Sequence, residues 1–248
     1  MWNASLTRRS LGLGLLSSVA LKSLVRREPS WLASQGGAAG AQSGAGTTSP
    51  DAARWDRVFG QRPPMYRTSP NAFLATAVER MQREQLLPGK AALDLAMGDG
   101  RNALLLAEKG LDVTGIDISP VGLETARASA AERKLTLHAL EQDLFAFDYG
   151  TEQWDLITVI YFNPAVSIFD RLKAALRPGG VIAIEGQGSE HKGDGPPQVT
   201  RYRPNQLLQA FGDWRILHYE DGLFECDWAP GPPTHVVRLM ARKVAVRK

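Results

Sequence analysis

From about residue 88 onward, short apolar runs alternate with segments in which apolar residues recur every three to four positions. The runs are Ala91 to Ala96, Asp112 to Asp117, Leu135 to Glu141, Trp154 to Tyr161 and Val181 to Glu185. A run of this length suits a buried strand, and the longer spacing suits a helix with one apolar face. The pattern predicts helices over about 102–109, 119–133 and 166–176, each between two strands, and so a parallel sheet covered on both faces. Upstream, Ser69-Pro70 offers a cap and a first-turn proline for a helix to about Leu86, with Phe73, Leu74, Ala77, Val78 and Met81 on one face. Pro88-Gly89 ends it. Downstream, a polar Gly/Pro-rich loop from Gly186 to Arg203 leads to a helix after Pro204 and two strands, Trp214 to Glu220 and His235 to Lys243. Only a short link joins those strands, which predicts an antiparallel hairpin on one edge.

The first fifty positions follow neither period. Residues 1–27 hold no acid, pair Arg8 with Arg9, and carry an apolar stretch from Leu11 to Leu21 that is too short for a stable membrane span. This start resembles a twin-arginine export signal, with Ala39-Gly40-Ala41 as a small-residue cleavage site; its Arg- and Ser-rich composition equally suits a transit peptide. Ser34 to Pro50 is Gly, Ala, Ser, Gln and Thr, a composition that buries too little apolar area to fold. The expected organisation is an extension and linker over 1–50 and one catalytic domain over 51–248. The net charge of +3 and pI near 9.1 hint at nucleic acid. The basic residues of the extension account for it, however, and the rest of the chain carries more acid than base, so no nucleic-acid partner is expected. The single cysteine, Cys226, excludes an internal disulfide and a cysteine-only metal cluster.

Chemistry concentrates after the first strand. Gly98-Asp99-Gly100-Arg101-Asn102-Ala103 fits G-x-G-x-x-A between a strand and a helix, and Asp117 ends the next strand. Glycine lets backbone approach a nucleotide-bearing ligand, and an acid at the second strand's tip accepts hydrogen bonds from ribose hydroxyls. Two owners of that logic stand here: a nicotinamide oxidoreductase and a nucleoside-sulfonium enzyme.

Further markers resemble the class I S-adenosylmethionine-dependent methyltransferases. Asp94-Leu95-Ala96-Met97-Gly98-Asp99-Gly100 is similar to that family's first motif, with Ala96 in place of the usual first glycine. Gln142-Asp143-Leu144 follows the third strand, Trp154-Asp155-Leu156-Ile157 opens the fourth, and Leu176-Arg177-Pro178-Gly179-Gly180-Val181 resembles the family's turn into the fifth. Gly-Arg-Asn-Ala after the loop, Asp-Ile-Ser-Pro-Val-Gly-Leu after strand two and Trp-Asp near the start resemble its tellurite-resistance and thiopurine-methyltransferase-like branch. The resemblance implies an α/β, Rossmann-like doubly wound sheet of seven strands, mostly parallel with an antiparallel C-terminal strand. It implies S-adenosyl-L-methionine as cofactor: Asp117 on the ribose with Ile118 beside it, Gly98 and Gly100 admitting the ligand, Asp143 on the adenine amino group and Leu144 beside the ring. The Ala96 carbonyl and the Asp94 carboxylate face the methionine ammonium. Arg101 either organises the loop or pairs with the cofactor carboxylate.

The acceptor side is read from Tyr161-Phe162-Asn163-Pro164-Ala165. Asn163-Pro164 resembles the Asn-Pro-Pro-aromatic motif of methyltransferases acting on nitrogen, but Ala165 and Val166 depart from it, and an ordinary strand-to-helix turn is the plainer reading. Tyr161 and Asn163 are the candidate catalytic residues, with Tyr161 lining the pocket of a small-molecule acceptor: a thiol, a chalcogen oxyanion or an amine. His191, Asp194, His218, Cys226, Asp227 and His235 lack tight ligand spacing, so they are expected to be scattered surface groups, and no metal is expected. Trp214 and Trp228 are expected in packing. Cytoplasmic action is favoured over export, because the cofactor is scarce outside the cytoplasm. A protein that binds the cofactor without catalysis stays open beside the oxidoreductase.

Overall fold

Ser49 and Pro50 begin the described residues: the Ser49 hydroxyl accepts from the Ala52 amide at 3.1 Å and Pro50 takes a first-turn position that needs no N–H, which starts helix α1 (Pro50–Phe59). The computed structural model describes residues 49–62, 64, 67–190, 201–227 and 231–244. The extension before residue 49, with its export or transit reading, lies outside the described residues, as do His191, Asp194 and Trp228.

Helix α2 (Ala72–Arg83) starts at Asn71, whose side chain caps the Leu74 amide at 2.8 Å, rather than at Ser69-Pro70. Its predicted apolar face, Phe73, Leu74, Ala77, Val78 and Met81, is buried. Strand β1 (Ala91–Leu95) leads into α3 (Arg101–Glu108), β2 (Asp112–Asp117), α4 (Pro120–Glu132), β3 (Leu137–Glu141) and β4 (Trp154–Ile160). Ser119 caps α4 through the Gly122 amide at 3.1 Å, with Pro120 behind it, at the predicted position. A 3-10 turn over Asn163–Ile168 and helix α5 (Phe169–Ala175) take the place of the one helix predicted over 166–176. Strand β5 (Leu176–Gln187), helix α6 (Gln206–Ala210) and the hairpin β6 (Arg215–Phe224) and β7 (Thr234–Arg242) complete the order.

The sheet runs β3-β2-β1-β4-β5-β7-β6. Pairing is parallel from β3 through β5, while β7 lies antiparallel between β5 and β6. The seven-stranded doubly wound sheet and its edge hairpin are thus as read from the sequence. Leu176 to Gly180 departs from that reading: β4 pairs Trp154 with Leu176 and then Leu156 with Val181, so the segment is an irregularity inside β5 and not a turn before it. Asp155, buried beside it, explains the pinning, since its Oδ2 accepts from the Ala91 amide at 2.9 Å and from Arg177 Nη1 at 2.8 Å. All seven residues of β4 are buried, as a central strand covered on both faces requires. The strand order reverses between β1 and β4, so the crevice outside their carboxyl ends is where a ligand belongs in an open α/β sheet. No helix among the described residues is long and apolar enough to cross a membrane.

Candidate active site

At the carboxyl end of β1 the backbone turns left-handed three times in five residues: Ala96 at φ +52°, Gly98 at +57° and Gly100 at +84°, the last capping α3. Met97 N donates to Ile116 O at 3.0 Å and Gly100 N to Met97 O at 3.0 Å, which fixes the loop against β2. Ala96 carries a Cβ in a region that penalises L-residues. Ala96→Gly is therefore expected to stabilise the domain by roughly 0.5–1 kcal/mol, the left-handed strain outweighing glycine's added chain entropy, as urea unfolding would show. The bare faces of the two glycines are already taken. A Cβ on Gly98 would stand 2.5 Å from the Phe59 ring, and one on Gly100 2.7 Å from the Ala126 methyl. What they make room for is the close seating of α1 and α4.

Asp117 ties that loop to the next helix. Its Oδ2 accepts from Gly98 N at 2.8 Å and its Oδ1 from Ser119 N at 2.8 Å. Burial pushes its pKa up, against the pull of those amides. A carboxylate offers about four lone-pair sites, so acceptor capacity is left for a diol. Asp56 of α1 accepts from the Ser119 hydroxyl at 2.6 Å and so holds α1 on the same corner. Ile118, half-buried, lies between the two anchored residues.

Asp94 sits deeper. It is 1% exposed, and its Oδ1 accepts from the Thr158 hydroxyl at 2.6 Å, while its Oδ2 is buried with no hydrogen-bond partner among the described residues. Burial raises its pKa to about 7, opposed by the Thr158 bond and the charge of Arg101. Arg101 itself is buried; it donates to Ser69 O at 2.9 Å and pairs with Asp227 at 3.5 Å, which favours the loop-organising reading in this structure. Asp143 is exposed, accepts from Phe145 N at 2.8 Å and sets the turn that buries Leu144.

At the end of β4 Tyr161 takes φ +57°, with its amide donating to Glu185 O at 2.7 Å. Cys226 Sγ lies 3.4 Å from its hydroxyl. Burial first, then the Glu185 carboxylate and Cys226, push the phenol's pKa far up, so it stays protonated. Asn163 is buried and donates from Nδ2 to Gln187 O at 2.8 Å, which binds the turn after β4 to β5. Phe162 stands 6.0 Å from the exposed Phe145 ring.

Three residues escaped the sequence reading. Glu185, 1% exposed, accepts from Asn71 Nδ2 at 2.7 Å and from Arg238 Nε at 2.6 Å. The signal was present: Glu185 is a lone acid closing the apolar run Val181 to Ile184, at the strand end where α/β sheets bind ligands. Cys226, half-buried on Tyr161, and Asp227, on Arg101 and the Ala72 amide, are not scattered surface groups. His235 is buried too, with Nε2 2.8 Å from Asp221. Among the described residues no group of three or more His, Cys, Asp or Glu is arranged to hold a metal ion.

Known proteins share parts of this sequence and its fold. Residues 92–180 match the family described as "Methyltransferase domain". Hemagglutinin 1 of Eikenella corrodens is 32% identical over 164 residues, covering 61% of this chain and 54% of that protein. Trans-aconitate 2-methyltransferase of Paracidovorax citrulli is 32% identical over 162 residues, covering 62% and 57%. The chain thus spans little more than half the length of these relatives. Magnesium protoporphyrin IX methyltransferase of Synechocystis, solved with bound SAH, shares the fold at 16% identity and a TM-score of 0.56, covering 79% of this chain and 95% of that one. Residues 92–180 thus match a methyltransferase domain, and the sheet has the Rossmann-like fold of S-adenosylmethionine-dependent methyltransferases.

Proposed function

We propose that the chain transfers a methyl group from S-adenosylmethionine to a small acceptor bearing a thiol, a chalcogen oxyanion or an amine. One observation carries the reading. Asp94 Oδ2 is a buried carboxylate oxygen without a partner among the described residues, two residues before the left-handed loop that Asp117 clasps through Gly98 N. An ammonium group satisfies such an oxygen, and a ribose diol suits the spare acceptors of Asp117. The residues present therefore fit the cofactor: Asp94 and the Ala96 carbonyl would hold its ammonium, Asp117 its ribose, and Asp143 and Leu144 its adenine. Ile118 and the backbone of Gly98 and Gly100 would line the same pocket. When bound, the cofactor supplies an electrophilic methyl carbon on a sulfonium.

The protein's part is to orient both partners and exclude water. Tyr161 and Phe162 form the acceptor wall, and Asn163 steadies the turn that carries them. The order of motifs after the first and second strands supports the tellurite-resistance and thiopurine-like branch, hence a soft thiol or chalcogen nucleophile first among the three. Residues 1–50 are a targeting-like extension in this reading, and the site of action is the cytoplasm. Calorimetric titration with S-adenosylhomocysteine, followed by labelled methyl transfer over a thiol, oxyanion and amine panel, tests the proposal. Saturable binding and turnover are expected. No heat at about 1 mM ligand would overturn it, and binding without turnover would assign a non-catalytic role.

A further inference from the structure

We infer that Tyr161 and Glu185 form a proton relay for the acceptor, with Tyr161 Oη taking the proton of the attacking group as its own proton passes to the Glu185 carboxylate. The inference rests on the methyltransferase reading and adds to it the missing base.

Three observations place the relay. First, Cys226 Sγ donates towards Tyr161 Oη at 3.4 Å, so the phenol oxygen already accepts from a thiol. Second, the Tyr161 amide donates to Glu185 O at 2.7 Å, which sets the two residues side by side on neighbouring strands, and the Glu185 carboxylate adds to the rise of the phenol's pKa. Third, Glu185 belongs to a cluster of charged groups. Arg238 bonds Glu185 through Nε at 2.6 Å and Glu220 through Nη1 at 2.8 Å, so two carboxylates share one guanidinium. The other groups facing the cluster are Asn71, a neutral donor to Glu185, and His218, 3.5 Å from Glu220. Arg101 is engaged by Asp227. Glu185 therefore stands behind the phenol at the end of β4, held in place by Arg238 and Asn71.

The balance closes without another reactant. The acceptor's X–H bond breaks, its proton goes to Tyr161 Oη, and the phenol proton goes to Glu185. The freed pair on X forms the bond to the methyl carbon, and the carbon–sulfur bond leaves its pair on sulfur. Tyr161 touches the acceptor and is catalytic; Glu185 acts through it and is a positioning residue. The left-handed backbone of Tyr161 is strain of the kind that persists where a side chain must be aimed.

The test compares Tyr161→Phe, Glu185→Gln and Glu185→Asp on two thiols, an alkyl thiol protonated at the assay pH and an aryl thiol already ionised. S-adenosylhomocysteine affinity confirms that each variant is folded. The expected result is a kcat loss of about 100-fold on the alkyl thiol in Tyr161→Phe and Glu185→Gln. The loss on the aryl thiol should be at least about tenfold smaller, with partial recovery in Glu185→Asp. A readout independent of turnover is the 13Cζ resonance of Tyr161, assigned by its absence in Tyr161→Phe. It should stay in the phenol form to about pH 11 in the wild type and titrate lower in Glu185→Gln. Equal losses on both thiols, or a Tyr161 titration unchanged by Glu185→Gln, would overturn the relay. A wild type that binds S-adenosylhomocysteine but methylates neither thiol would count against a thiol acceptor, and the resonance then decides the relay by itself.

Discussion

Asp94→Asn is expected to weaken S-adenosylhomocysteine binding by more than about tenfold at pH 8 and, at the same pH, to stabilise the ligand-free domain by about 1 kcal/mol or more. Both effects come from one oxygen. Oδ2 is buried without a partner, and burial holds the carboxyl to about pH 7 before it ionises. In the unfolded chain the same group ionises near the ordinary value of about 3.9. Between those two values the folded protein holds a proton that the unfolded chain has lost. Stability attributable to Asp94 is therefore fully present below about pH 4 and falls as pH rises through about 7. Asparagine keeps the Thr158 bond through its carbonyl oxygen, never carries the charge, and escapes that loss, although its amino group, buried in the place of Oδ2, offsets part of the gain. The binding side has the opposite sign. An ammonium group pairs only with the ionised carboxylate, so wild-type affinity should rise between about pH 6 and 8 with uptake coupled to proton release. Calorimetry in two buffers of different ionisation enthalpy measures the released proton directly. In Asp94→Asn both the proton and the pH dependence should vanish. A wild-type affinity flat from pH 6 to 8 would mean that Oδ2 meets no cation.

The sheet was legible because burial on both faces writes continuous apolar runs, and the helix starts were legible where side-chain chemistry is local. Ser119-Pro120 announced α4 from two adjacent residues. The hairpin of β6 and β7 followed from two apolar runs and a short link. What escaped was non-local. Asn71 and Glu185 lie 114 positions apart, Glu185 and Arg238 lie 53 apart, and no spacing rule joins them; only the fold brings a helix cap, a strand end and an edge strand to one point. The glycine loop was recognisable as a motif, yet the reason for its glycines was misjudged in part. Ligand approach was the expected reason, whereas the nearest atoms to the missing Cβ groups are those of Phe59 and Ala126. Asn163 illustrates the same limit. The Asn-Pro pair fixes a turn, but only the neighbouring strand shows that its amide is used on Gln187 O.

Asp117 is where loop geometry and ligand chemistry meet, and Asp117→Asn should damage both. In the wild type each carboxylate oxygen accepts one backbone amide, Gly98 on one side and Ser119 on the other. Asparagine has one acceptor oxygen and one amino group, so whichever way it turns, its N–H2 meets an amide N–H and one buried donor goes unsatisfied. Such a loss costs about 1–3 kcal/mol. Relief of the buried charge works the other way: burial has already raised the carboxyl's pKa, so its removal recovers part of a desolvation penalty, more at high pH than at low. With two short charge-assisted bonds at stake, the hydrogen-bond loss prevails, and a net destabilisation of about 1–2 kcal/mol near pH 7 is expected from urea unfolding. S-adenosylhomocysteine affinity should fall by about 100-fold, because the diol loses an ionised acceptor and the loop loses its clasp together. Asp143→Asn is the matched comparison: that acid is exposed, bonds one amide, and should leave stability within about 0.5 kcal/mol of the wild type. An Asp117→Asn protein that loses stability but keeps its affinity would make this acid a clasp on the loop and nothing more.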